Sequence, residues 1–284
     1  MRIKLYNDLG SVTFGGKYSE GTSFFIKAAE GFGLADRTFS AASYSGYPGT
    51  TTTGISIEAR TITISADMRV DAGFQKRYSQ LLAILNKGGY LEIYEKRVRR
   101  KIQWMCGSFV PGEKNKVCFG FTIQLICDYP YFSDINNTEI YVFKRTDLIN
   151  SAFKLPGVFT KRISRSNVVY AGSAEAEPIF IIDILSDAAG EATGGITITN
   201  HTYGETIKFN YIGSAGERIT IDVGKPSVYS SSGEDLINYM SDDTYLDSFH
   251  LHPGINDIEV LNLNDGTSIN VKCIYSCKYI EAVV

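Results

Sequence analysis

Three histidines, five cysteines, an acidic cluster and one basic run are the residues of this sequence whose types could do chemistry. His250 and His252 stand two apart, so on a strand they would share a face and supply half of a metal site. No third ligand follows at a suitable spacing, and His201 sits in a turn, so strand-end histidines are the plainer reading. Cys106, Cys118, Cys127, Cys273 and Cys277 lack CxxC spacing, and Cys273 and Cys277 would lie roughly 13 Å apart along a strand. Buried free thiols fit them better than zinc. Asp242, Asp243 and Asp247, with Glu234 and Asp235 nearby, could offer oxygens to calcium, but without the EF-hand spacing they read as an acidic turn. No nucleophile elbow, P-loop or dinucleotide fingerprint follows a strand, and no two acids can be paired across a sugar cleft. Catalytic residues, cofactors and metal ligands are therefore expected to be absent, and the chain is not read as an enzyme.

The basic run is Lys96, Arg97, Arg99, Arg100 and Lys101, five cations in six residues. Clustered cations neutralise phosphates, so nucleic acid is one reading. No stacking aromatics interleave, and a solvated hairpin tip or a docking surface for an acidic partner is the plainer one. Residues 1–150 hold 19 Lys+Arg against 14 Asp+Glu, or +5; residues 151–284 hold 9 against 17, or −8; together these give −3. Two modules with different surfaces follow, and 284 residues is length enough for each to bury its own core.

The elements that must position these residues are strands. Aromatics at 12%, many glycines and alternating Thr, Ile and Tyr favour a mostly-β chain. Phe119, Phe121, Ile123, Leu125 and Cys127 alternate with small or polar residues, the period of a half-buried strand, which stops at Asp128-Tyr129-Pro130. Two short strands are expected around a turn at Gly15-Gly16, and Glu30-Gly-Phe-Gly33 permits a tight loop. Residues 40–54 (SAASYSGYPGTTTTG) read as a long loop, and 55–70 as one strand whose inner register slips by a bulge near Arg60. Phe74, Tyr78, Leu81, Leu82 and Leu85 mark the one helix, with Asp71 as N-cap and Gly88 beyond its end. Tyr90–Tyr94 and Ile102–Val110 are further strands. Residues 136–172 are expected to be an extended linker with some strand in it, over Glu139 to Lys144, and six short strands after it, over 178–185, 195–200, 205–211, 218–223, 257–263 and 268–275, describe a sandwich or jelly roll. No apolar leader and no run of 18 apolar residues occurs, so neither a signal peptide nor membrane insertion is expected.

Several of these stretches, in this order, resemble the distal tail protein family of long-tailed bacteriophages. They are Glu30-Gly-Phe-Gly33, the Thr-rich loop, the Arg60 strand, one helix and the stop at Asp128-Tyr129-Pro130. Gly172-Ser-Ala-Glu-Ala-Glu-Pro178, Ile198-Thr-Asn200, Gly204-Glu205, Ile221-Asp222 and Leu251-His-Pro-Gly-Ile-Asn256 follow in the second half. The resemblance implies a split β-barrel related to tail-tube subunits over residues 1–135 and a galectin-like jelly roll over 173–284. It implies a homohexameric ring that joins the tail tube protein to the tail-tip or tail-associated protein and anchors receptor-binding or baseplate parts. DNA would at most pass through the lumen. Such a protein is made in the host bacterial cytoplasm and resides at the virion tail tip. Within this picture the 41–53 loop, with Tyr44, Tyr47 and Thr51, and the basic hairpin at 96–101 are the candidate contacts to neighbouring subunits or the tube. The alternative is a carbohydrate-binding module touching the host cell wall. Galectin-like sandwiches hold sugars on a tryptophan, and the single one, Trp104, falls in the first half.

Overall fold

The computed structural model describes residues 1–15, 22–46, 48–96, 98–147, 160–187, 194–263 and 268–282, with backbone alone at 145–147 and 160–163. The chain divides into two compact units, one formed by Met1–Ile135 with Tyr279–Val284 and the other by Asn136–Lys278. The second unit is thus an insertion near the end of the first.

The first unit runs β1 (Arg2–Asn7), β2 (Gly10–Phe14), β3 (Phe24–Glu30), β4 (Arg37–Ala42), β5 (Thr51–Ile57), β6 (Arg60–Arg69), α1 (Phe74–Lys87), β7 (Gly89–Glu95), β8 (Val98–Lys114), β9 (Cys118–Cys127) and β10 (Phe132–Asp134). Its main sheet has the order β2-β1-β7-β8-β9-β6-β3, antiparallel throughout. Right-handed twist curls such a sheet. Its two edges meet at a parallel bridge between Gly15 and Phe25, where the Gly15 N–H donates to Phe24 O at 3.0 Å and the Ile26 N–H to Gly15 O at 3.1 Å. Beyond this one bridge no ladder joins β2 to β3 among the described residues, so the barrel is split and not closed. Period-two alternation points Ile3, Leu5, Ile62, Ile64, Leu91, Ile93, Ile123 and Leu125 into one core, which Leu81, Ile84 and Leu85 of α1 join.

The sequence expectation fails in three places here. The first hairpin turns at Asp8–Leu9, where Asn7 Oδ1 accepts the Leu9 N–H at 2.9 Å and Gly10 takes φ +144°; Gly15 instead bridges to β3, and Gly16 lies outside the described residues. The expected 55–70 strand is two strands. β5 leaves the barrel to pair with β4, so Ile55 and Ile57 are exposed and not inward. Gly73 rather than Asp71 caps α1, and the Asp71 Oδ1 accepts the Gly73 N–H at 2.8 Å one turn earlier.

The second unit holds β11 (Thr138–Asp147), β12 (Thr160–Ile163), β13 (Arg165–Tyr170), β14 (Ile179–Ile184), β15 (Ile196–Asn200), β16 (Glu205–Phe209), β17 (Arg218–Asp222), β18 (Ser227–Ser230), β19 (Gly254–Asn262) and β20 (Ile269–Tyr275). β21 (Lys278–Tyr279) follows as the chain returns to the first unit. Two antiparallel sheets, β12-β11-β20-β14-β17-β18 and β13-β19-β15-β16, bury alternate residues such as Phe180, Ile182, Ile198, Ile207, Val260 and Val271. Residues 136–172, expected as a linker with one strand over Glu139 to Lys144, contribute three strands, because β11 and β13 find ladder partners far along the chain in β20 and β19 and β12 pairs with β11. The chain is mainly β, with one α-helix among its described residues.

Candidate interaction surfaces

The 40–54 stretch, expected as a loop, is a β-hairpin of β4 and β5 that pairs with no other strand among the described residues. The β-branched Thr51, Thr52, Thr53, Ile55 and Ile57 of β5, across a glycine-bearing turn from β4, make this pairing favourable locally. Phe39 faces Ile55 across the ribbon, and Arg37 faces Ile57. Phe39 is 59% and Ile55 57% exposed, and Ile57, Leu34 and Tyr44 are exposed as well. A two-stranded ribbon with an uncovered apolar face is marginal in water by itself. Of the expected contact residues, Tyr44 and Thr51 stand exposed on either side of its tip, while Tyr47 lies outside the described residues.

Strand alternation splits the basic run. Lys96 occupies the β7–β8 turn with φ +52°, and Arg97 lies outside the described residues. Arg99 points outward over the Tyr94 ring at 5.1 Å. Lys101 Nζ donates to Ile135 O at 2.9 Å. Arg100 points inward and is buried; its Nη1 donates to Glu281 O at 2.5 Å, and its guanidinium lies 3.6 Å from the centre of the Tyr279 ring. Arg100 is thereby withdrawn from the expected surface. Arg2 and Lys4, which spacing along the chain could not connect to the run, join it through the β1–β7 ladder. With Thr13, Tyr94, Glu95, Lys96 and Arg99 they line an open cleft of about 680 Å³. Beside it Glu92 accepts from the hydroxyls of Tyr6 and Tyr94, and burial followed by that hydrogen bond pushes the Tyr6 phenol up to about 12.

The other expected sites are structural. His252 Nε2 lies 2.7 Å from Glu205 and its Nδ1 3.0 Å from Glu175, with the ring stacked on Tyr203. His201 pairs with Glu259 at 2.7 Å. Asp243 accepts from Ser241 at 2.6 Å and pairs with Lys208. Among the described residues no three His, Cys, Asp or Glu side chains are grouped to hold a metal. All five cysteines are free; burial pushes the Cys127 thiol up to about 12 and that of Cys273 upward too. Trp104 is 1% exposed in the core of the first unit, where no sugar can stack on it.

Residues 171–279 match the family described as siphovirus-type tail component, C-terminal domain. No curated protein matches the sequence. Among solved structures, the fold is similar to SPP1 Dit (gp 19.1), reported as a paradigm of the hub of the adsorption apparatus in phages infecting Gram-positive bacteria. That likeness has a TM-score of 0.66 at 13% identity and covers 90% of this chain and 93% of that one. A chain of the phage P2 baseplate in its activated conformation with Ca is similar at a TM-score of 0.51 and 13% identity, over 100% of this chain and 98% of that one. Residues 171–279 thus match the siphovirus-type tail component C-terminal domain, and the fold of the whole chain is similar to that of SPP1 Dit.

Proposed function

We propose that this protein is a non-enzymatic hub of a phage tail tip, six copies forming a ring that joins the tail tube to the tail-tip and receptor-binding parts. The observation that carries the reading is the β4–β5 hairpin, whose apolar face has no cover among the described residues. A segment of this kind gains its stability by lying against another molecule. Contacts between unlike patches on identical copies propagate head to tail and close when the rotation allows, which is how a ring grows from one chain. In this reading the hairpin, with Tyr44 and Thr51, seats on the neighbouring subunit or the tube, and the second units hold further baseplate proteins.

The test is the assembled mass of the full-length chain by mass photometry, with negative-stain images, alone and mixed with tail-tube and tail-tip proteins. Six-fold rings are the expected outcome. A chain that stays monomeric in every mixture would remove the reading.

A further inference from the structure

We infer that the basic cleft at the β7–β8 turn is the socket for the acidic 234–247 segment of a second copy's inserted unit, an inference that rests on the ring reading. Arg2, Lys4, Lys96 and Arg99 bring four cations to one cleft whose only acid among the described residues is Glu95. Lys4, Lys96 and Arg99 form no ion pair among the described residues; Lys4 and Arg99 lie over the Tyr6 and Tyr94 rings. Like charges that outnumber their counter-charges repel one another, and a partner carboxylate relieves that repulsion.

The complementary surface is written in the same chain. Between Lys225 and Lys272 the sequence carries eight Asp and Glu and no Lys or Arg. Within this span Glu234, Asp242 and Asp247 are exposed and form no ion pair among the described residues, whereas Asp243 is held by Lys208 and Asp235 accepts the Ile237 N–H at 3.0 Å. The segment is fixed by its own core contacts through buried Leu236, Leu246 and Phe249, so its acids are presented on a rigid turn.

Nucleic acid fits the cleft less well. A polynucleotide repeats its charge along a track, but the cations here stop at one end of the sheet. The next outward positions are Tyr6, Tyr90 and Gln103. Socket and segment are different patches on identical copies, the heterologous relation that builds rings.

The test uses the full-length chain in low salt. Carbodiimide, which joins touching amines and carboxylates, should link Lys4 or Lys96 of one copy to Glu234, Asp242 or Asp247 of another, read by mass spectrometry on mixed isotope-labelled protein. The reversal Lys96→Glu with Arg99→Glu should weaken self-association by about tenfold or more. The reversal Asp242→Lys with Asp247→Lys should do the same, and mixing the two variants should restore assembly. Melting curves confirm that each variant folds, and Lys96→Ala with Arg99→Ala gives the same direction if a reversal does not. Rings that form undiminished in the reversal variants, without these cross-links, overturn the socket and leave the ring reading standing. A wild-type chain that stays monomeric with its partners overturns both. A DNA duplex whose binding is lost in Lys96→Glu/Arg99→Glu while rings persist assigns the cleft to nucleic acid instead.

Discussion

Arg60 and Ile280 are 220 residues apart in the chain, yet Arg60 Nη2 donates to the Ile280 carbonyl at 2.6 Å. The same guanidinium donates from Nη1 to Gly31 O at 2.7 Å and Gly33 O at 2.6 Å and from Nε to Pro130 O at 2.7 Å, at 2% exposure. Its charge meets four carbonyl dipoles and the Phe132 ring, and so the returning C-terminal residues are tied to the first unit. Gly31 is required because its φ is +90° and a Cβ there would sit 2.1 Å from Thr61 O. Arg60→Met leaves these buried acceptors without donors and is expected to cost about 3 kcal/mol. Denaturant melts of the variant measure it, and an unchanged midpoint would refute the clamp.

Truncation after Lys278 removes Tyr279, Glu281 and Ala282. Ala282 is buried and donates its N–H to Phe32 O at 2.9 Å, and Arg100 loses both Glu281 O and the Tyr279 ring. The first unit should therefore melt lower while the second keeps its transition. Differential scanning calorimetry of the truncated chain resolves the two.

Trp104 is the single tryptophan and lies in the first unit's core. Fluorescence should report unfolding of that unit alone, whereas circular dichroism reports both. Coincidence of the two signals in a variant that destabilises only the second unit, such as Phe180→Ala, would contradict this. That variant should cost about 3–5 kcal/mol, since Phe180 is fully buried.

The hairpin is the opposite case. Phe39→Ser with Ile55→Thr changes side chains that are mostly exposed, so the isolated chain should keep its stability within about 0.5 kcal/mol. Ring formation should fall sharply, as seen by mass photometry. A wild-type ring yield from this variant would mean that the ribbon seats on nothing in the assembly.

Two pH limbs follow from opposite shifts. Burial, then the Glu92 hydrogen bond, raise the Tyr6 phenol from 10.0 to about 12, so its contribution to stability is complete below pH 10 and lost as pH rises toward 12. Tyr6→Phe should flatten that alkaline loss. The hydrogen bond from Arg165 lowers the Asp257 carboxyl below its ordinary 3.8, so its contribution is present above that value and lost as pH falls through the lower folded one. Asp257→Asn should make the acid limb shallower in urea melts run from pH 5 downward.

The sequence by itself determined the strands, because a period of two is a local pattern: Phe119 to Cys127 and Ile269 to Tyr275 alternate just as their burial does. It also determined the helix stripe, the mostly-β character and the order of stretches that resembles the tail family. Tertiary structure alone decided what those strands pair with. Ile55 and Ile57 carry the same alternation as Ile62 and Ile64, yet the first two face solvent on a ribbon and the others line the core, since the choice depends on β4. Arg100 reads as one of five surface cations, yet it is buried because the chain returns 181 residues later to give it a carbonyl. Arg2 and Lys4 reach the basic cleft only across a ladder with β7. Periodicity records which side of a strand is apolar, whereas ladder partners and chain return are set by contacts between distant residues, which no local window contains.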